Sequence, residues 1–195
     1  MQFLFQKELN PEIIGNYSAL GLKIKDITLP STLTYIYNLG GENLETLTCL
    51  AHVPPRGNFL TVGREYKIYV PAEFLEEYKS EWSMYADCIF PIPPINLSGS
   101  TTANSYIVSA AGLYKFSTVK GNSSESVGAV ASAEVLWETF GTDVTPNVGD
   151  LVKNAVYSDG YITFKTAETF KEGNAVIAAK NSAGKILWSW HIWLT

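Results

Sequence analysis

The sequence has few of the residues on which most metalloproteins and many enzymes rely. Its 195 residues include only two histidines, His52 and His191, and two cysteines, Cys49 and Cys88, which form no CxxC pair. The histidines fall in different predicted domains, so a histidine-based metal site would need them to converge with carboxylates. We therefore expect no metal and no cofactor. We expect both cysteines to be small buried apolar side chains, and the sequence leaves a disulfide between them open.

Charge is also scarce, because only 17% of the residues are charged and the net charge is −5. Residues 1–95 carry 7 basic and 11 acidic side chains, and residues 96–195 carry 7 and 8. Neither half has a stripe of Lys and Arg, so we expect no nucleic-acid partner and no binding to anionic membranes.

Long apolar segments are absent as well. No run approaches the length of a transmembrane span, so we expect no transmembrane segment. Residues 1–8 contain Lys7 and Glu8 and lack the apolar core of a secretory signal. Two interpretations remain open at this point: an intracellular protein, or a chain whose native start lies elsewhere.

The motifs of common catalytic sites are missing too. The sequence contains no G-x-S-x-G, no P-loop and no G-x-G-x-x-G. Cys49 and His52 are close in sequence, but the strand pattern below directs Cys49 inwards, so we do not expect a catalytic dyad. Paired carboxylates, as in glycosidases, are not excluded by the absence of a motif.

What the sequence does contain is a proline-rich segment that predicts a domain boundary. Phe90–Ile95 holds three prolines, which remove backbone donors and fix φ, and Asn96–Thr102 is small and polar. We place the boundary near residues 95–100, with a first domain over 1–95 and a second over 96–195.

The first domain shows an internal repeat. Ile24–Leu29 and Leu44–Cys49 both fit L-x-x-L-x-L and lie 20 residues apart; 21 residues further, Ile68 and Val70 occupy the inward positions. Glu65 stands at the first position of this third copy, which is therefore degenerate. Such spacing predicts short strands whose alternate apolar residues stack on the next turn of a solenoid.

Periodicity changes after the third copy. An apolar stripe at helical spacing predicts an amphipathic helix over residues 72–82 that ends the repeat array as a cap. The stripe consists of Phe74, Leu75, Tyr78 and Trp82.

These segments, ITLPSTLTYI, LETLTCLAHVPP and IYVPAEFLEEYKSEWSMYADCIFPI, resemble the C-terminal end of the BspA-like leucine-rich repeats over residues 24–92. That family is common in surface proteins of Bacteroidetes and other host-associated microbes. The resemblance implies a short leucine-rich repeat solenoid end at the cell surface or outside the cell, with a role in adhesion or protein binding.

The second domain is predicted to be an antiparallel β-sandwich, which gives a mainly β chain. Asp159-Gly160 and Asn181–Gly184 predict hairpin turns. The predicted strands are Asn104–Ser109, Leu113–Thr118, Glu134–Thr139, Asn154–Ser158, Tyr161–Thr166, Asn174–Lys180 and Lys185–Leu194. Val135 and Trp137 are expected on one face of their strand.

The last strand alternates over its length and predicts one core face, made of Ile186, Trp188, Trp190, Ile192 and Leu194. The other face, with His191 and Trp193, is mixed. Together with residues 102–109 and 173–180, this strand resembles the C-terminal β-domains of Bacteroidetes surface lipoproteins, some of them fimbrillin-like.

Aromatic side chains supply the candidate ligand-binding site. Trp193 and His191, with Tyr157 or Tyr161 of the hairpin, would form a platform that stacks on sugar rings or anchors a protein. The alternative is that these side chains fill the core.

We therefore expect a non-catalytic cell-surface binding or adhesion protein with a protein, peptide or glycan ligand. One alternative is a structural subunit of a fibre, pilus or virion that self-associates through its terminal strand. A second is a carbohydrate-active enzyme.

Overall fold

The computed structural model describes residues 24–36, 43–57, 66–141 and 144–195 in full, and the backbone of residues 2–4 and 13–14. The chain is mainly β and divides into two compact units, Met1–Pro93 and Pro94–Thr195. The division falls inside the proline-rich segment. Within the described ranges, no helix is both long and apolar enough to cross a lipid bilayer.

The first unit is built on a parallel sheet. Its strands are β1 (Gln2–Leu4), β2 (Ile13–Ile14), β3 (Asp26–Leu29), β4 (Tyr35–Ile36), β5 (Thr46–Cys49), β6 (Lys67–Val70) and β7 (Ile89–Pro91). The order β1-β3-β5-β6-β7 forms a five-stranded sheet in which every neighbouring pair is parallel. β2 and β4 pair in a second, smaller parallel sheet.

The register of this sheet is the alignment predicted from the repeat. Ile27 pairs with Leu47, and Leu47 pairs with Ile68. All three are buried, and the residues next to them along each strand are more exposed, because successive side chains of a strand point to opposite faces. Glu65 lies outside the described residues. The inward ladder is continued by Ile89 of β7, which pairs with Ile68 and is buried.

A helical segment connects β6 and β7. A 3₁₀ turn over Ala72–Phe74 leads into α1 (Leu75–Glu81), and a second 3₁₀ segment covers Ser83–Cys88. The predicted stripe faces the core: Tyr78 and Trp82 are buried, and Phe74 and Leu75 pack against the same cluster. However, the helix does not end the sheet, since β7 follows it and pairs with β6. β7 is an edge strand, where Pro91 needs no ladder donor.

The described residues of the second unit form eight strands, of which seven lie within two residues of their predicted bounds and the first was not predicted. They are β8 (Ile95–Asn96), β9 (Ser105–Val108), β10 (Leu113–Ser117), β11 (Ser132–Thr139), β12 (Val152–Ser158), β13 (Tyr161–Thr166), β14 (Gly173–Lys180) and β15 (Ile186–Leu194). They form two four-stranded sheets, β12-β13-β10-β8 and β11-β14-β15-β9.

Both sheets are mixed, whereas the sequence predicted an antiparallel arrangement. β8 pairs with β10 in parallel, and β9 pairs with β15 in parallel. The remaining pairs are antiparallel. Alternation within a strand fixes which residues are buried but carries no information about the direction of a distant partner, so these two edge pairings could not be predicted.

One buried cluster joins residues of both sheets. The ring of Phe116 in β10 lies 5.0 Å from that of Trp190 in β15 and 5.3 Å from that of Tyr106 in β9. Aromatic rings at these centroid distances attract each other beyond the effect of their burial. The apolar faces of the two sheets therefore stabilise a common core.

Both predicted hairpin turns are present. Asp159 and Gly160 have φ values of 50° and 80°, the left-handed conformation that a type I′ turn requires at both central positions. In the second turn, the side-chain oxygen of Asn181 accepts hydrogen bonds from the backbone N–H groups of Ala183 and Lys185. These contacts fix the register of β14 against β15.

The predicted core face of the last strand is only partly correct. Trp190, Ile192 and Leu194 are buried, but Ile186 is 46% exposed and Trp188 is half-buried. The register of β14 against β15 shifts between Ala179 and Lys180, so that Leu187 is an extra residue. Such a bulge reverses the alternation on one side of it, and the sequence pattern does not reveal it.

Candidate functional site

The candidate site is the face of the β11-β14-β15-β9 sheet that points away from the core. Residues directly opposite each other on neighbouring strands project from the same face of a sheet. Two adjacent cross-strand rows define the surface that we call the Trp face. They are Trp137, Val176, His191 and Ser105, and Thr139, Asn174, Trp193 and Ile107.

Two tryptophans dominate the Trp face. Trp193 is 49% exposed and Trp137 is 46% exposed, and Ile107 beside Trp193 is 58% exposed. Trp is on average a well-buried residue, so two half-exposed indoles on one sheet face are informative. β14 separates their strands, and strand spacing places their Cα atoms on the order of 12 Å apart.

Trp137 is the residue that sequence reasoning missed. We predicted Val135 and Trp137 on one face, but Val135 is buried in the core while Trp137 is exposed on the opposite face. The register of β11 against β14 shifts between Val135 and Trp137, so Leu136 is an extra residue that reverses the alternation. Nothing in the local sequence marks this bulge.

A network of hydrogen-bonded polar side chains connects the two rows of the Trp face next to Trp193. The Nδ1 atom of His191 lies 2.9 Å from the Ser105 hydroxyl, and its Nε2 atom lies 2.8 Å from the Asn174 side-chain oxygen. The Asn174 oxygen only accepts, so Nε2 carries the proton in the neutral ring and the Ser105 hydroxyl donates to Nδ1. The contacts therefore fix the imidazole, the amide and the hydroxyl in one arrangement.

A hydroxyl, an imidazole and an amide that are hydrogen-bonded in this order are also the groups of a nucleophilic triad. Ser105, however, is exposed on an open strand, whereas a serine nucleophile acts beside preorganised donors in a site that excludes water. We therefore interpret these three groups as a fixed polar strip on the sheet surface.

The two predicted tyrosines lie on the other sheet. Tyr157 in β12 pairs with buried Ile162 and packs against the core, whereas Tyr161 in β13 projects from the opposite face. There the Lys115 ammonium lies 4.7 Å from the centre of the Tyr161 ring. The structure thus brings Trp193 and His191 together, and it joins neither tyrosine to them.

The terminal strand does not offer a free edge along its last residues. β15 pairs with β14 on one side, and its residues His191–Leu194 pair with β9 on the other. Self-association by addition of a strand to this segment would require β9 to leave. We had expected the terminal strand to be available for self-association, because the sequence does not show that β9 lies beside the last strand.

Three other side chains that could carry chemistry have structural contacts. Glu138 is buried and accepts hydrogen bonds from the backbone N–H groups of Gly149, Leu151 and Val152. Burial raises the pKa of the Cys49 thiol, which lies 3.1 Å from the Tyr78 hydroxyl. His52 stacks on the ring of Phe74, with ring centres 5.1 Å apart.

No grouping of three His, Cys, Asp or Glu side chains that would suit a metal ion occurs among the fully described residues. Comparison with known families, with curated proteins and with solved structures finds no match to this chain.

Proposed function

We propose that this protein is a non-catalytic binding or adhesion protein of the cell surface, and that the Trp face is its ligand-binding surface. The observation that carries the proposal is the pair of half-exposed tryptophans beside a fixed row of polar side chains. Exposed indoles held on a rigid sheet contribute contact area at little cost in conformational entropy, which is why Trp is frequent in binding hot spots.

The repeat of the first unit supports the proposed location at the cell surface. Parallel strands that pair at intervals of 20 and 21 residues are what the end of a BspA-like leucine-rich repeat array would contain. In this proposal α1 and β7 form the closing unit, and the helix covers the last turns of the ladder. The resemblance to that family is the reason to place the protein at the cell surface or outside the cell.

The second unit supports the proposal as a β-sandwich, since two four-stranded sheets contribute to one apolar core. A sandwich keeps one face of each sheet in solvent, where the face can carry ligand-binding residues on a rigid scaffold. The alternative of a structural subunit joined through the terminal strand has less support, because β15 is paired on both sides near its end.

The test is binding of the full chain to immobilised extracellular glycoproteins, with mucin and fibronectin as the two probes, measured by surface plasmon resonance. We expect saturable binding to at least one of them, and we expect Trp193→Ala to weaken it at least tenfold. The matched control is Ile186→Ala, since Ile186 is exposed to a similar extent on the same strand but lies outside the Trp face.

Equal binding by wild type and Trp193→Ala would show that the Trp face is not the binding surface. Absence of saturable binding to both glycoproteins would count against the proposed function as a whole. Circular dichroism of each variant shows whether the second unit has kept its fold.

A further inference from the structure

The Trp face is small. Four strands about 4.8 Å apart and two rows about 7 Å apart give it an area on the order of 300 Å². A stable protein–protein interface buries roughly 800 Å² on each partner. The exposed patch therefore fits a ligand much smaller than a folded protein.

The Trp face also lacks acidic side chains, lysine and arginine, and the charged residues in the next rows of the same sheet face, Glu134 and Lys180, form an ion pair with each other. A charged ligand would lose hydration on this surface without gaining a partner of opposite charge, which is costly. The surface chemistry thus favours a neutral ligand.

The polar groups on the two strands that flank Trp193 match hydroxyl groups. The Asn174 amide nitrogen supplies donors that its contact with His191 does not use, and the Ser105 oxygen keeps acceptor capacity after donating to His191. A donor thus lies on one side of β15 and an acceptor on the other, which suits sugar hydroxyls, because such a group both donates and accepts. The face of a pyranose ring presents C–H groups, which pack on an indole plane.

From these three properties we propose that the Trp face binds a neutral oligosaccharide. This proposal rests on the binding function proposed above and specifies the class of its ligand. Trp137 and Trp193 each stack on a sugar ring, Asn174 on the strand between them hydrogen-bonds to the intervening hydroxyl groups, and Ser105 hydrogen-bonds to hydroxyl groups on the other side of Trp193. Since the two indoles belong to strands on either side of β14, the ligand is a chain of several sugars rather than a monosaccharide.

The experiment uses the full chain and the glycans released from the glycoprotein that it binds, separated by anion exchange into neutral and acidic fractions. We expect the neutral fraction to compete with binding and the acidic fraction to compete at least tenfold less well. Enzymatic deglycosylation of the immobilised glycoprotein should abolish binding. Trp137→Ala and Trp193→Ala should each weaken binding at least tenfold, and Asn174→Ala should weaken it severalfold, whereas Ile186→Ala should leave it unchanged.

A second measurement does not depend on any glycoprotein. Tryptophan fluorescence of the full chain is titrated with the neutral hexasaccharides of cellulose, xylan, mannan and starch. A saturable change that Trp137→Ala and Trp193→Ala abolish would support the inference even if mucin and fibronectin were not bound.

The outcomes separate the two proposals. Binding to a glycoprotein that survives deglycosylation and that neutral glycans do not compete would overturn the oligosaccharide inference, leave the binding function standing and indicate a protein epitope. Competition by the acidic fraction alone would overturn the neutrality of the ligand. No response to the glycoproteins or to the hexasaccharides would overturn both.

Discussion

At the scale of single residues, Trp190 is the largest fully buried side chain of the second unit. Its ring contacts Phe116, and its indole N–H has no hydrogen-bond partner among the residues that the structure describes. A buried N–H without a partner costs free energy, so the contribution of Trp190 to stability comes from its ring.

We therefore expect Trp190→Phe to lower the free energy of unfolding by only about 1 to 2 kcal/mol, because the substitution removes the unpaired N–H together with part of the ring. Trp190→Ala should cost about 3 to 5 kcal/mol, since it leaves a cavity. Differential scanning calorimetry of the two variants checks this. Equal losses would mean that the N–H has a partner after all.

The two cysteines should differ in reactivity. The thiolate is the reactive form, and burial raises the pKa of Cys49 and so lowers its thiolate fraction. Cys88 is only half-buried. With iodoacetamide near pH 8, peptide mass spectrometry should find Cys88 alkylated in the native protein and Cys49 alkylated only after denaturation. Rapid alkylation of native Cys49 would contradict the buried position of that strand.

The same burial links the stability of the first unit to pH. Desolvation raises the pKa values of Cys49 and of Tyr78, so the folded state favours their neutral forms. This contribution is complete below the ordinary pKa of a thiol and is lost as the pH rises above it.

At the scale of elements, Glu138 connects β11 to the start of β12, because both of its carboxylate oxygens accept backbone hydrogen bonds. Glu138→Gln leaves one side-chain oxygen, so at least one buried N–H loses its acceptor. We expect a loss of about 1 to 3 kcal/mol for each such N–H, measured by chemical denaturation.

Glu134→Gln is the matched control. Glu134 lies on the same strand and is exposed, and it forms an ion pair with Lys180 at the surface. Surface ion pairs contribute less than about 1 kcal/mol, so the control should change stability little. Similar effects of the two substitutions would show that Glu138 does not hold the three amides.

The hairpin between β12 and β13 depends on Gly160. Its φ of 80° lies in the left-handed region, and apart from its own chain neighbours no described residue has an atom within 4 Å of the place where a Cβ would be. Gly160→Ala should therefore destabilise by backbone strain alone, by about 1 to 2 kcal/mol, and Gly160→Asn by less. Thermal unfolding of the two variants measures this, and a larger loss for Asn than for Ala would refute the strain argument.

At the scale of the whole molecule, one buried cluster comprises residues between Ile24 and Ile89, and the other comprises residues between Tyr106 and Leu194. A unit with its own apolar core can fold independently. We expect residues 94–195 expressed alone to give the near-ultraviolet circular dichroism of ordered tryptophans and a cooperative thermal transition. A fragment that lacks both would show that its core depends on the first unit.

The candidate site could be predicted only in part. Trp193 and His191 were found because the mixed face of the last strand is visible in its alternation, and they do lie together. Their expected partners Tyr157 and Tyr161 lie on the other sheet, because sheet membership depends on strand order. Trp137 was missed, since its exposure follows from a bulge at Leu136.

The sequence by itself determined where the strands and turns of the second unit lie, and the repeat register of the first, because these follow from local alternation, from turn residues and from spacing along the chain. Only the tertiary structure decided which strands are neighbours, that β8 pairs with β10 and β9 with β15 in parallel, and that β15 lies inside its sheet. It also decided the bulges in β11 and β15, each of which reverses the face of every residue on one side of it. Pairing and bulges arise from contacts between residues far apart in the chain, and for that reason the Trp face exists only in the folded protein.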